Sequence, residues 1–231
     1  FYGVVVENGR IKDTDAIKLR TAFRKIIQTL NCSTTLTPQQ SILFNDLDET
    51  QIKQLESILT EHHVPLLHEL SNARRYSMAC PSMPTCGLAV AESERVMPEF
   101  ITEVENALAE LGLADTQLTI RMTGCPNGCA RPYTADIALV GRRPGVYHLF
   151  VGGRLAGDRM ADLYAADVKI EALLETLKPL LTKFAVDRTP GEGLGDFYQR
   201  VLERTESRTR VTGKEIPTFD DVQPKLIQIG A

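Results

Sequence analysis

Ala79-Cys80-Pro81-Ser82-Met83-Pro84-Thr85-Cys86-Gly87-Leu88-Ala89 and Thr123-Gly124-Cys125-Pro126-Asn127-Gly128-Cys129-Ala130-Arg131-Pro132-Tyr133 are the two stretches on which the reading of this chain turns. Their spacing is Cys-x5-Cys, then 38 intervening residues, then Cys-x3-Cys. Four thiols converging from two loops suit a tetrahedral metal site or an iron–sulfur cluster. Thiolates are soft ligands and favour iron–sulfur or zinc over calcium or magnesium. Structural zinc prefers cysteines two to four residues apart, so the x5 loop fits it poorly. Spacing alone therefore ranks a cluster first, zinc second, and free or disulfide-bonded cysteines third. Gly87, Gly124 and Gly128 allow backbone to approach inorganic sulfur closely, and loop amides there can donate to it.

Working outward, Gln117 to Met122 reads as a strand that runs straight into the second loop. Ala135 to Val140 and Tyr147 to Val151 read as paired strands around the turn Arg143-Pro144-Gly145. Between the loops, Val96, Phe100, Val104 and Leu108 recur every four residues, which predicts a helix over 97–111. Pro98 suits its first turn and Gly112 its end. Helices are expected at 167–185 and 194–205, followed by a polar, irregular tail from Glu206. Upstream, residues 2–6 read as a strand, 14–30 as an amphipathic helix, and Cys32–Leu36 and Ser41–Leu47 as extended segments. Ile52, Leu55, Ile58 and Leu59 mark a further helix. This β-α-β-β-α order suggests a small ferredoxin-like α+β layer. The expected domains are 1–70 and 71–231.

Composition agrees with an ordinary globular chain. The protein has 231 residues and a net charge of −4, which gives no reason to expect nucleic acid. No apolar run reaches membrane-spanning length, and no secretory signal is visible. Five cysteines, an odd number, argue against a complete disulfide framework and for a reducing compartment. The chain opens on Phe1 rather than Met, so a processed product or a portion of a longer protein is expected.

The two cysteine stretches resemble the paired signature of the siroheme-containing nitrite/sulfite reductases. The resemblance extends over most of the chain. Asn8-Gly-Arg-Ile-Lys12 and the helix after it resemble the family's second ferredoxin-like half-domain. Tyr147 to Gly153 resembles its sheet after the second cysteine pair, and Gly195-Asp-Phe197 its late helix. The implied fold class is α+β: a ferredoxin-like half-domain, then a domain binding a 4Fe–4S cluster and siroheme. By resemblance, Cys80, Cys86, Cys125 and Cys129 are the cluster ligands, and Cys129 is also the axial ligand of the siroheme iron. Asn127 is expected to contact siroheme or a cluster sulfur, or else to cap its own loop. Arg131 is expected to face a siroheme carboxylate, or else to brace the loop.

The implied activity is that of the C-terminal portion of an assimilatory sulfite reductase hemoprotein. It would reduce sulfite to sulfide by six electrons in the cytoplasm. The electron donor would be ferredoxin or an NADPH-dependent flavoprotein, and the N-terminal half of the same enzyme would be the partner supplying the Arg and Lys cage for the anion. The Cys-Pro-x-x-Pro-Thr-Cys form is closer to sulfite than to nitrite reductases. Reduction of nitrite to ammonia is the first alternative. A non-catalytic domain with a four-cysteine zinc site is the second, and an electron-transfer module with a cluster and no siroheme the third.

Other residues read as structural. Cys32 is expected to be a buried structural thiol. His62, His63 and His68 have spacing that fits no common metal site and read as surface or packing residues. Arg142-Arg143 reads as a solvated turn, or alternatively a docking patch for an acidic electron donor. Met78, Met83 and Met97 read as packing residues, with Met83 placed to help keep the cluster dry.

Overall fold

The computed structural model describes residues 1–202. Its first 64 residues bury one apolar core, which includes Val4, Phe23, Ile26, Phe44, Leu55 and Leu59. The elements are β1 (Tyr2–Val5), α1 (Leu19–Leu30), β2 (Thr34–Leu36), β3 (Ser41–Phe44) and α2 (Glu49–Glu61). The strands form an antiparallel sheet in the order β1-β3-β2. Leu19, Phe23, Ile26 and Leu30 give α1 its buried stripe, and Asn31 closes it in the left-handed region at φ 48°. Asp48 and Gln51 form a reciprocal capping box that starts α2. The helix predicted over 14–30 begins only at Leu19. Residues 13–18 instead close a bridge between Asp13 and Lys18, and the Asp13 carboxylate accepts from Thr21 N–H at 3.1 Å.

A second core draws on residues from Ala73 to Phe197. Its elements are α3 (Asn72–Arg75), β4 (Ser77–Ala79), α4 (Met97–Glu110), β5 (Ile120–Thr123), β6 (Ile137–Arg143), β7 (Val146–Val151), β8 (Asp162–Lys169) and α5 (Leu173–Asp187). Residues 194–202 are also helical. The remainder of the helix expected to 205, and the tail from Glu206, lie outside the described residues. The sheet order is β4-β5-β6-β7-β8. β4, β5 and β6 are mutually parallel, whereas β7 and β8 run antiparallel. The β6–β7 hairpin turns on Pro144-Gly145, with Gly145 at φ 68°, the sign that such a turn requires after proline.

Two expectations needed correction here. The helix predicted over 167–185 is split: residues 162–169 form edge strand β8, and α5 starts only at Leu173. Pairing of Val146 with Lys169 and of Tyr147 with Val168 outweighs the weak local helix preference of this segment. The strand predicted from Gln117 begins at Ile120. Thr119 N–H and its hydroxyl bond the buried Asp136 carboxylate instead of a strand neighbour.

The two cores meet along the free edge of β4. Gln40, on the turn before β3, pairs with both backbone groups of Ala79. Its Nε2 donates to the Ala79 carbonyl at 2.7 Å, and its Oε1 accepts from Ala79 N–H at 3.2 Å. A side-chain amide thus completes the edge as another strand would. Asn8 Nδ2 donates to the Glu94 carbonyl at 3.0 Å, and Arg10 forks onto the Glu94 carboxylate. Gln40→Ala is expected to cost about 1–3 kcal/mol, because it strips both partners from Ala79 beside Cys80. Urea unfolding followed by circular dichroism checks this.

Candidate metal centre

Parallel pairing decides where the cysteines go. Ala79 of β4 lies in register with Met122 of β5, so Cys80 and Cys125 leave the same end of adjacent strands. Open α/β sheets place ligands at this carboxyl end. The chain returns from β4 to β5 through α4, which packs on the core face. It passes from β5 to β6 through the Cys-x3-Cys loop, which lies over the opposite face. Arg121, whose strand neighbours Ile120 and Met122 enter the core, marks that second face by bonding the loop at Arg131.

The two cysteine loops lock together at Gly124. Its N–H donates to Cys80 Sγ at 3.3 Å, and its carbonyl accepts from Val90 and Ala91 N–H at 2.9 and 3.0 Å. Ser82, buried in the first loop, donates its hydroxyl to the Ala91 carbonyl. A Cβ on Gly124 would meet Ser82 Oγ at 2.0 Å and the Ala91 carbonyl oxygen at 2.6 Å, so only glycine lets the loops approach this closely. Tyr147 reaches up from the core to donate to the Glu92 carbonyl at 2.8 Å, and burial pushes its phenol pKa up strongly. In the second loop, Tyr133 donates to the Pro126 carbonyl at 3.1 Å.

Cys80 and Cys125 are buried, Cys86 is half-buried and Cys129 is exposed. All four are free thiols. A tetrahedral zinc ion draws four thiolates to about 2.3 Å from one centre. Among the described residues, no three His, Cys, Asp or Glu side chains are gathered to hold one metal ion. The Gly124 N–H aimed at Cys80 Sγ is the kind of amide donor that serves thiolate ligands of an iron–sulfur cluster.

The remaining predicted residues fall in varied places. Asn127 is exposed at the tip of the second loop. Arg131 is exposed, at φ 52°, and its Nη2 donates to the Pro38 carbonyl at 2.8 Å, tying this loop to the first sheet. Met78 packs with Cys80 and Ala130 in a small apolar cluster, Met97 lies in the main core, and Met83 is half-buried. Cys32 is half-buried rather than buried, packed against the first core, and burial raises its thiol pKa. His62 Nδ1 donates to the Ile58 carbonyl at 2.8 Å, at the end of α2. Arg142 and Arg143 are exposed at the β6–β7 hairpin, with Arg143 3.3 Å from Asp167.

Three buried polar groups of the second face escape a periodicity reading: Arg121, Thr123 and His148. Arg121 is 1 % exposed. Burial, and then the positive charge of Arg131, push its pKa down to about 10, against a smaller opposing effect of Asp136. His148 accepts from Asp167 N–H through Nδ1 at 3.0 Å, which leaves the neutral ring's proton on Nε2. Burial, then Arg142, holds its pKa below the usual histidine value. A charged residue between Ile120 and Met122 was the available signal: alternation along the strand sends it to the face opposite the core.

Comparison with known proteins agrees with this architecture. No family model matches the chain. It is 43% identical over 199 residues to the sulfite reductase (NADPH) hemoprotein beta-component of Staphylococcus saprophyticus, covering 86% of this chain and 35% of that one. It is 42% identical over 200 residues to the protein of the same name from Chromohalobacter salexigens, covering 86% and 34%. Among solved structures, Mycobacterium tuberculosis NirA superposes with a TM-score of 0.71 at 25% identity, over 86% of this chain and 37% of NirA. Dissimilatory sulfite reductase I shares the fold, at a TM-score of 0.60 and 13% identity. The chain spans about a third of the length of the curated relatives it matches. With its two cysteine loops interlocked on a mixed sheet, beside a ferredoxin-like layer, this chain belongs to the nitrite/sulfite reductase family, as do the sulfite reductase hemoproteins it matches.

Proposed function

We propose that this chain is the cluster-bearing portion of a sulfite reductase hemoprotein, which reduces sulfite to sulfide by six electrons. The observation that carries the reading is the lock at Gly124, which holds the Cys80 and Cys125 loops side by side at one end of β4 and β5. Cys80, Cys86, Cys125 and Cys129 would hold a 4Fe–4S cluster, and Cys129 would also ligate the iron of siroheme. When bound, the pair of cofactors would relay the donor's electrons and supply the reactive iron.

The chain's own residues prepare that site. Burial of Cys80 and Cys125 excludes water from one side of the cluster, and the Gly124 amide stabilises thiolate charge on Cys80. Exposure of Cys129 leaves its sulfur open to a second metal contributed from outside the described surface. Asn127, exposed two residues earlier, stands near enough in sequence to contact the macrocycle or a cluster sulfur. Arg131 spends one Nη2 donor on the Pro38 carbonyl, and its other N–H groups would be the ones to meet a siroheme carboxylate. The two apolar cores support domains at 1–70 and 71–231.

The relatives' names carry NADPH, which favours a flavoprotein as electron donor over ferredoxin. The proposed setting is the cytoplasm, where cysteines stay reduced and free to bind iron. No helix among the described residues is long and apolar enough to cross a membrane. The basic groups that hold the substrate dianion would come from the rest of the hemoprotein. Nitrite is the second substrate to test, because NirA is a structural neighbour.

The deciding experiment uses the full-length hemoprotein that contains this chain. Iron, labile sulfide and siroheme absorption are expected, with steady-state turnover of sulfite exceeding that of nitrite. Zinc without colour would refute the reading. The 231-residue chain alone is expected to bind siroheme poorly and to reduce sulfite negligibly, measured by titration with the isolated macrocycle and by sulfide release.

A further inference from the structure

Among the described residues, Arg121 is a buried cation with no hydrogen-bonded carboxylate. It sits in the middle of β5 with 1 % of its surface exposed. Its Nη1 donates to the Arg131 carbonyl at 2.9 Å and to Thr134 Oγ1 at 2.8 Å, both neutral acceptors on the Cys-x3-Cys loop. Its Nε is buried with no hydrogen-bond partner. No described carboxylate hydrogen-bonds it, and of its charged neighbours Arg131, of like sign, acts on it more strongly than the Asp136 carboxylate. The Asp136 carboxylate is committed elsewhere, to Thr119 and to Gly195 N–H.

A guanidinium taken out of water without a hydrogen-bonded anion is destabilising. Proteins retain such a group where something negative completes it. The position of Arg121 says where that charge would be. Register places it beside Met78 on β4, and Met78 packs with Cys80 and Ala130, the residue that follows Cys129. The cation therefore lies under the floor of the two cysteine loops. The same face carries two further unspent polar atoms, Thr123 Oγ1 and His148 Nε2. These three groups form a polar floor in a strand environment that otherwise buries apolar side chains.

We propose that Arg121 is the counter-cation of the thiolate-ligated cluster and raises its reduction potential. It acts as a positioning and tuning residue and need not touch substrate. This inference rests on the cluster assignment above. Four thiolates around an iron–sulfur core leave a net negative body, which gains a further negative charge on reduction. A fixed positive charge in a dry setting stabilises the reduced form more than the oxidised one.

The test is an EPR-monitored redox titration of the full-length hemoprotein, alongside iron and labile-sulfide analysis. Arg121→Gln keeps a hydrogen-bond donor and removes the charge. Arg121→Lys keeps the charge and removes the fork. Thr134→Val removes one acceptor of the fork and leaves the charge. A loaded Arg121→Gln enzyme with its cluster potential shifted to more negative values, with Arg121→Lys and Thr134→Val close to wild type, supports the proposal. A loaded Arg121→Gln enzyme with an unshifted potential overturns it. So does an equal shift in Arg121→Lys or Thr134→Val, which would make the residue a loop brace only. If Arg121→Gln does not load, Arg121→Lys decides: a wild-type potential supports the charge role, and a lowered one refutes it. If neither loads, Arg121 is a folding residue and the tuning role is lost. Absence of iron and sulfide from the wild-type protein would refute the cluster assignment itself, which is a separate result.

Discussion

Cys80→Ser in the full-length hemoprotein is expected to empty the cluster site while leaving the fold standing. Serine is nearly isosteric with cysteine, and its hydroxyl can still accept from Gly124 N–H, as Sγ now does at 3.3 Å. The polypeptide therefore loses on the order of 1 kcal/mol, the scale of a single altered hydrogen bond. Ligation is another matter. An alkoxide is hard and scarcely formed at neutral pH, whereas a thiolate is soft and readily formed. Even partners outside the ligand set are worth roughly 10–100-fold in metal affinity, so loss of a ligand is expected to weaken cluster retention by more than ~100-fold. Labile sulfide should fall to background, sulfite turnover with it, and the circular dichroism melt should stay within a few degrees of the wild-type apoprotein. Full cluster content in the serine variant would remove Cys80 from the ligand set.

Gly124→Ala is expected to produce the opposite pattern, with stability lost first and the cluster as a consequence. A methyl group at this position would sit 2.0 Å from Ser82 Oγ and 2.6 Å from the Ala91 carbonyl oxygen. The serine hydroxyl can rotate, but the carbonyl belongs to backbone that is itself bonded to Gly124. The loops must separate, breaking the contacts of Val90 and Ala91 with the Gly124 carbonyl. Overpacking of this kind costs about 1–3 kcal/mol, with the lost hydrogen bonds added. A fall in melting temperature of about 10 °C is expected for the apoprotein. Adding Ser82→Gly should recover part of this loss, since it removes the nearest atom but leaves the carbonyl. A wild-type melt for Gly124→Ala would mean that the loops do not close as described.

Arg131 and Arg121 show how differently two basic residues of one neighbourhood can be read. Arg131 stands inside the quoted loop, so its interest was visible at once. Its donation to Pro38, in the other core, was not, because the two lie 93 positions apart. Arg121 is one residue in a short strand, marked only by its place between Ile120 and Met122. Its weight comes from what surrounds it: Met78 beside it on β4, two neutral acceptors on the second cysteine loop, and no hydrogen-bonded carboxylate among the described residues. Gln40 is a similar case. A glutamine on a turn carries no signal until the edge of β4 is found beside it.

The spacing of the four cysteines, the order of strands and helices through residue 61, and the helix at Met97–Glu110 were all present in local pattern, because residue spacing and hydrophobic period are properties of short stretches. The strand β8 was not, since its residues prefer a strand only when β7 is there to pair with them. Nor was the meeting of the two cysteine loops. That follows from β4 and β5 running parallel and in register, and from a glycine small enough to let one loop seat on the other. Contacts between residues tens of positions apart exist only once the chain is packed, so the closeness of Cys80 to Gly124 and the isolation of the Arg121 charge belong to the folded molecule alone.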